Sequence, residues 1–566
     1  MPTPTGQIRE DSLWFGSADR PVFGRLTTPV GETARGAVLL SSPIGRESRL
    51  SRRALRSLAI LLARDGYASL RYDHVGTGDS SGSIDDEEIG DAWTSGIDQG
   101  VAFLRSLGID SVSAVGMRMG ATIIGAASSA YDLGLSSLVM WDPCETGRAY
   151  VRELDALGAL QQEVLTAGLD NSTKMLEFPL GNETAKRISG FTLREPSSRP
   201  LAQRVLVVVR DDRPVSSKFR ERWESDQVEW TTTAEQGPML ETQLPTSVLP
   251  ISTITEIHAW LTSPDSSLVA FSLPSFAREA IVTKESNTHS VRERVVELGP
   301  HHLFGVVSEP VGEVRGPLIV MVNGANEDHV GPARLWVELS RSWAGSGLRC
   351  IRFDLSERGE SPWFPELPDR PVIGDTRPPQ DIIEAIQALD PVNPGDSVLI
   401  AYCSGAPLAF DVISKLDNAG LCAINPGAGN EVFRTVDRAK NSGRESVQAL
   451  FHRLDTLLKT HAWADVAFRA ISWFMISLSY VPRVRSALVK SGSNVLLLLS
   501  AEDLPQLKYV PIVRRRIGVS GFLDLEVVPG MDHAILSTVG RQRAVDILKR
   551  HVVETFADSQ RPPKSE

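Results

Sequence analysis

An internal repeat constrains this chain before anything else does. Phe23-Gly24, Pro29-Val30-Gly31-Glu32, Ser42, Gly66, Asp73, Gly78 and Ser80 correspond to Phe304-Gly305, Pro310-Val311-Gly312-Glu313, Asn323, Gly347, Asp354, Gly359 and Ser361. Each step is 281 residues, from 23 to 304 as from 73 to 354. Chance can mimic one such segment but not one offset kept through five consecutive elements, so the chain is a tandem duplication. With a few added residues the register continues, setting Arg118-Met119-Gly120-Ala121 against Cys403-Ser404-Gly405-Ala406. A length of 566 residues is more than one hydrophobic core fills, so each copy must close its own.

Within a copy, apolar strands alternate with amphipathic helices. The first opens on a strand pair from Trp14 to Thr28, followed by a strand at Ala37 to Leu40 and a helix from Arg53 to Arg64 that stops at Gly66. A strand from Ala68 to Asp73, a glycine-rich turn, a helix from Asp86 to Leu107 and a strand from Ser111 to Val115 follow. This alternation predicts an α/β fold with a doubly wound, mostly parallel sheet. The next strand in each copy ends in similar words, Trp141-Asp142-Pro143 and Ile424-Asn425-Pro426, and a largely helical insertion follows, about 145–200 and 427–490. Such insertions are expected over the C-terminal edge of the sheet, where open α/β folds bind ligands, and are candidate lids. The organisation expected is a first domain over 1–264, a Ser/Pro/Thr-rich linker over 265–290, a second domain over 291–556 and a disordered tail over 557–566.

Composition removes several function classes. A net charge of −11 without a basic tract argues against nucleic acid as a partner. Residues 1–12 show no secretory pattern, and no apolar run is long enough for a bilayer. Cysteines stand only at 144, 350, 403 and 422, without a framework spacing, so a cytoplasmic protein with reduced thiols is expected. His301-His302 lacks further ligands at metal spacing, and the glycines at 76, 78 and 82 lack the Lys-Ser/Thr of a phosphate loop. No metal and no cofactor are expected.

One pentad carries chemistry. Residues 398–402 are an apolar run that stops at Ala401-Tyr402-Cys403-Ser404-Gly405. Small residues two either side of a central nucleophile are what a sharp strand-to-helix turn needs for its backbones to pass. Cys403 has them, whereas Ser404 would have Tyr402 at minus two. The repeat independently puts Cys403 at the turn. Its counterpart Arg118 is a permanent cation and no nucleophile.

Taken together, the Asp73-His74-Val75-Gly76-Thr77-Gly78-Asp79-Ser80 turn, the two elbows, the acidic turns after the seventh core strand and Gly530-Met531-Asp532-His533 resemble the α/β-hydrolase superfamily in two copies. More narrowly, the first elbow and the stretch from Trp141 to Tyr150 are similar to exosortase-system-associated hydrolases. The second copy is similar to cysteine-elbow hydrolases found beside bacterial surface-polysaccharide genes. The resemblance implies that His533 stands where the superfamily keeps its base, and Asp503, or its neighbour Glu502, where it keeps the acid. Ser404 N–H is then the first oxyanion donor, and Ala325, in the loop Asn323-Gly324-Ala325-Asn326, is the expected second. Asn323, Gly324, Glu327 and His329 are candidate substrate contacts.

The first copy has no histidine in the base segment 234–243, so it is expected to be inactive. Arg118 there either pairs with Asp211 or Asp212 or serves a retained pocket for an anion. The function expected is a cysteine-dependent hydrolase or acyltransferase, acting through an acyl-enzyme on a small-molecule ester or thioester. The alternative is a non-catalytic scaffold of two hydrolase-like halves, which duplication alone allows to pack as an intramolecular pseudo-dimer.

Overall fold

In the first copy the strands β1 (Ile8–Phe15), β2 (Val22–Pro29), β3 (Gly36–Ser41), β4 (Tyr67–Tyr72), β5 (Val112–Met117), β6 (Leu135–Trp141), β7 (Ala202–Arg210) and β8 (Val228–Thr233) form one sheet. Their order is β1-β2-β4-β3-β5-β6-β7-β8. β2 runs antiparallel to both its neighbours, and from β4 to β8 all pairings are parallel. The second copy repeats this order with β9 (Val291–Leu298), β10 (Leu303–Pro310), β11 (Leu318–Val322), β12 (Arg349–Phe353), β13 (Ser397–Tyr402), β14 (Gly420–Ile424), β15 (Val495–Ser500) and β16 (Leu523–Val528), as β9-β10-β12-β11-β13-β14-β15-β16. This is the tandem, doubly wound α/β architecture that the sequence predicts. β2 and β10 still lie 281 residues apart at both ends.

The computed structural model describes residues 6–165, 181–193, 200–241, 248–262, 267–283, 290–324, 327–362, 378–390, 392, 396–416, 420–426, 495–501, 503, 523–535 and 537–557. The chain divides into two compact units, 1–286 with 290–295, and 287–289 with 296–566. The lid expected at 427–490 lies outside the described residues, as do Ala325, Glu502 and the tail beyond Ala557. The first unit's insertion carries helices Gly147–Leu165 and Asn182–Ser189. No described helix is long and apolar enough to cross a membrane.

The central strands are buried along their whole length because helices cover both faces, which explains why their sequences run apolar rather than alternating. Successive side chains still point to opposite faces. Ala37 and Leu39 join one core with helices Ile89–Ser106 and Met119–Ala130, while Val38 and Leu40 join another with helices Arg46–Arg64 and Ile251–Leu261. In the second unit Val320 and Val322 pack with Ile382, Ile386 and Phe410, whereas Ile319 and Met321 pack with Trp336 and Trp343.

The stretch read as a linker at 265–290 departs from that expectation. Val269–Ala270 pairs with Thr33–Ala34, Phe271 N–H donates to Glu32 O at 2.9 Å, and Trp14 N–H donates to Ala277 O at 2.8 Å. Residues 269–277 thus strap onto the first copy, whereas Glu279–Thr283 pairs antiparallel with β9 as the edge strand of a nine-stranded second sheet. Main-chain groups do the docking, so the Ser/Pro/Thr composition of the stretch carries no trace of it.

Both elbows hold a non-glycine residue at φ 51°, Arg118 and Cys403. The left-handed region is unfavourable for such residues, and surrounding packing must enforce it. Part of that packing is visible at the small residue two places on. A Cβ on Gly405 would lie 2.5 Å from Asn323 O and 2.8 Å from Val322 O. Gly405→Ala should therefore cost about 1–3 kcal/mol through forced backbone displacement. Denaturant unfolding checks this; an unchanged midpoint would mean that the helix does not seat against β11 as described.

Candidate active site

The second elbow turns between β13 and the helix Gly405–Ile413, and Cys403 N–H donates to Ile424 O of the neighbouring β14 at 3.0 Å. That bond ties the strained residue to the sheet edge and leaves its side chain half-buried above the strand ends. Facing it is the loop between β16 and the helix Thr538–Val552. His533 Nε2 lies 3.3 Å from Cys403 Sγ. Its other nitrogen, Nδ1, lies 3.0 Å and 2.9 Å from the two carboxylate oxygens of Asp503. Asp503 stands just past β15 and is itself seated, accepting from Ser500 Oγ at 2.7 Å while its N–H donates to that hydroxyl at 3.1 Å. Three groups 130 and 30 residues apart in sequence thus form one line from sulfur to carboxylate.

The electrostatics follow from this line. Asp503, and after it Cys403, hold the His533 imidazolium far above the ordinary histidine range, at about 10, although burial pulls the other way. A histidine so held rests as a cation near neutrality, poised to give a proton from Nε2.

The remaining residues singled out by sequence fall into place unevenly. Ser404 is buried at the N-cap of the helix Gly405–Ile413, beside the sulfur-bearing residue. Gly324 brings the loop after β11 against the elbow: a Cβ there would lie 3.3 Å from Cys403 Cβ and from the Tyr402 ring. Ala325, the expected second oxyanion donor, is outside the described residues.

Asn323, expected to touch substrate, instead uses its side chain inward. Its Nδ2 donates to Phe353 O at 3.2 Å and its Oδ1 accepts from Trp336 Nε1. Glu327 closes the loop by donating its N–H to Gly324 O at 3.3 Å. His329 is fully buried, with its N–H on Asp354 Oδ1 at 2.6 Å and its Nδ1 2.9 Å from Asp354 Oδ2. Asn323 and His329 are better read as anchors of the loop than as groups facing a ligand. Loop residues with amide and imidazole groups look alike in sequence whichever way they point.

In the first unit the elbow position is a closed ion cluster. Arg118 is 3 % exposed, and its Nε and two Nη atoms meet Glu47 at 2.9 Å, Asp142 at 3.3 Å and Glu153 at 2.9 Å. Neither Asp211 nor Asp212 is the partner that the sequence suggested, for Asp212 is held by Arg210 at 2.8 Å. The elbow aims Arg118 over the strand ends, where the helix Arg46–Arg64, the end of β6 and the helix Gly147–Leu165 each supply a carboxylate. Burial raises the carboxyls of Glu47 and Asp142 above their ordinary range despite the pull of Arg118. An incoming anion would meet three carboxylates before the guanidinium, so the anion-pocket reading of Arg118 gives way to a structural one. Sequence missed Glu47, Asp142 and Glu153 because their convergence is purely tertiary. No group of three or more potential metal ligands occurs among the described residues.

No family model and no curated protein matches the chain. Solved structures that it resembles include a proline iminopeptidase from Mycobacterium smegmatis, at 16 % identity over 45 % of this chain and 97 % of that one, with a TM-score of 0.30. An esterase domain from a Rhodothermus marinus protein is 14 % identical over 45 % and 97 %, with a TM-score of 0.31. A dienelactone hydrolase from Anabaena variabilis is 12 % identical over 48 % and 99 %, with a TM-score of 0.30.

Two outcomes are expected from this geometry. In histidine-selective NMR, His533 should titrate near 10, and Asp503→Asn should lower that midpoint by about a unit or more. Because its folded pKa lies above the ordinary value of about 6.5, the stabilisation from His533 is whole below that value and is lost as pH rises through the folded midpoint. Arg118→Ala strands buried carboxylates and should cost about 3–5 kcal/mol at neutral pH, a loss that shrinks in acid as they protonate. Chemical denaturation across pH reads it; a loss independent of pH would contradict the ion cluster.

Proposed function

We propose that the second unit is a cysteine-nucleophile hydrolase or acyltransferase for an ester or thioester. The single observation that carries this reading is the Cys403–His533–Asp503 line, with 3.3 Å between sulfur and Nε2 and 2.9 Å between Nδ1 and the acid. A nucleophile, a base within reach and an acid that orients the base are what acyl transfer requires.

In the proposed cycle Cys403 Sγ attacks the acyl carbon as a thiolate, forming the C–S bond and moving the carbonyl pair onto oxygen. Ser404 N–H and the backbone of the 324–325 loop receive that oxyanion. As the tetrahedral centre collapses, the bond to the alcohol or thiol leaving group breaks and His533 supplies its proton from Nε2. Water, or an acceptor hydroxyl, then gives a proton to His533 and attacks the thioester, and the C–S bond breaks to return the thiolate. Asp503 holds the imidazole in the tautomer and orientation that both steps use.

The first unit is proposed to be catalytically silent. What supports this is Arg118 at the nucleophile position with its donors on Glu47, Asp142 and Glu153. The experiment is turnover on a panel of activated esters and thioesters. Cys403→Ala and His533→Ala should each lower kcat/KM by about a thousandfold or more, with a smaller loss for Asp503→Asn, and Cys350→Ala should match wild type. Full turnover in Cys403→Ala would end the proposal.

A further inference from the structure

The residue that closes β14 bonds the main chain of His533 and, through Ser500, the end of the strand before Asp503. Asn425 is fully buried at the strand end, with φ 42°. Its Nδ2 donates to His533 O at 2.8 Å and to Asp532 O at 3.1 Å, so it grips the main chain of the histidine itself. Its Oδ1 accepts from Ser500 N–H at 2.7 Å, and Ser500 Oγ in turn donates to Asp503 Oδ2 at 2.7 Å. Its own N–H donates to Leu498 O of β15 at 2.9 Å. One side chain therefore sets the height of the histidine loop and the end of the strand that carries the acid.

The first copy shows that this is a use of the position and not a requirement of the fold. Asp142 occupies the same strand end with φ 43°, and its N–H makes the equivalent bond to Val208 O at 2.8 Å. The backbone is shared, yet its carboxylate turns to Arg118 at 3.3 Å. A carboxylate at 425 could not replace the amide, because it has no donor for the carbonyls of Asp532 and His533. The amide is found in the copy that carries a histidine in the loop after its last strand, and the acid in the copy whose corresponding segment, 234–243, has none.

We infer that Asn425 is a positioning residue, which holds the imidazole of His533 between Cys403 and Asp503 by bonding the histidine's main chain and the strand that bears the acid. This rests on the proposed function only for its catalytic consequence. The geometry itself can be read without turnover.

The test uses the full chain with Asn425→Gly, which suits the left-handed backbone, and Asn425→Asp, which keeps the size and the acceptor to Ser500 but loses both donated bonds. In Asn425→Gly the His533 NMR midpoint should fall by about a unit or more, as expected when an imidazolium loses its carboxylate partner. The pH profile of Cys403 alkylation should move with it. In Asn425→Asp the alkylation rate at neutral pH should fall about tenfold or more while the melting transition stays cooperative, and kcat should fall with little change in KM.

A folded Asn425→Gly with the wild-type titration, or a folded Asn425→Asp alkylated at the wild-type rate, would overturn the inference. The two readings fail separately. Wild-type protein that transfers no acyl group, together with a shifted His533 titration in Asn425→Gly, sinks the function and leaves the positioning role; active wild type with unshifted variants does the reverse.

Discussion

Everything about the site depends on one backbone constraint, the left-handed turn that follows β5 in the first copy and β13 in the second. A non-glycine residue at φ 51° is held there by a main-chain bond to the next strand, Arg118 N–H to Trp141 O and Cys403 N–H to Ile424 O, each within 3.0 Å. The turn lifts one side chain clear of the strand ends while burying its neighbours. Whatever residue stands at that point is presented to the loops from the sixth, seventh and eighth strands. Those loops bring His533, Asp503 and Asn425 in one copy, and Asp142 with helix-borne Glu47 and Glu153 in the other.

The two copies therefore show what a duplicated scaffold keeps and what it exchanges. Strand order, elbow strain and the positive-φ residue closing the sixth strand are common to both. The occupants differ in charge type. A thiol invites a base, and the base invites an acid behind it. A guanidinium instead gathers three carboxylates and becomes an internal ion cluster whose value lies in neutralising what is already buried.

Much of this was legible in the sequence because it is periodic or punctuated. The 281-residue offset announced two folds, the apolar runs announced strands covered on both sides, and small residues either side of position 403 marked the turn. Cys403 was marked by spacing and by the repeat, His533 and Asp503 (or its neighbour Glu502) by the resemblance, and the side chains of Cys403, His533 and Asp503 lie together in the structure. Direction was not legible. Nothing in Asn323 or His329 says that one bonds Trp336 and the other Asp354 inside the fold, and nothing in Arg118 names Glu47, 71 residues away. Main-chain docking of residues 269–277 on the first copy and of Glu279–Thr283 on the second sheet was invisible for a related reason, since every residue carries the same donors and acceptors. Asn425 did leave a trace, as the amide standing where the first copy has Asp142.

The central claim is that a carbon–sulfur bond forms at one atom of this chain. Its most direct test is intact-mass measurement after brief exposure to acyl thioesters, with peptide mapping of the adduct. A single acyl mass increment on Cys403, absent in Cys403→Ala and slow to clear in His533→Ala, is the result expected. An adduct that maps to Cys350 or Cys422, or equal labelling of Cys403→Ala, would contradict it.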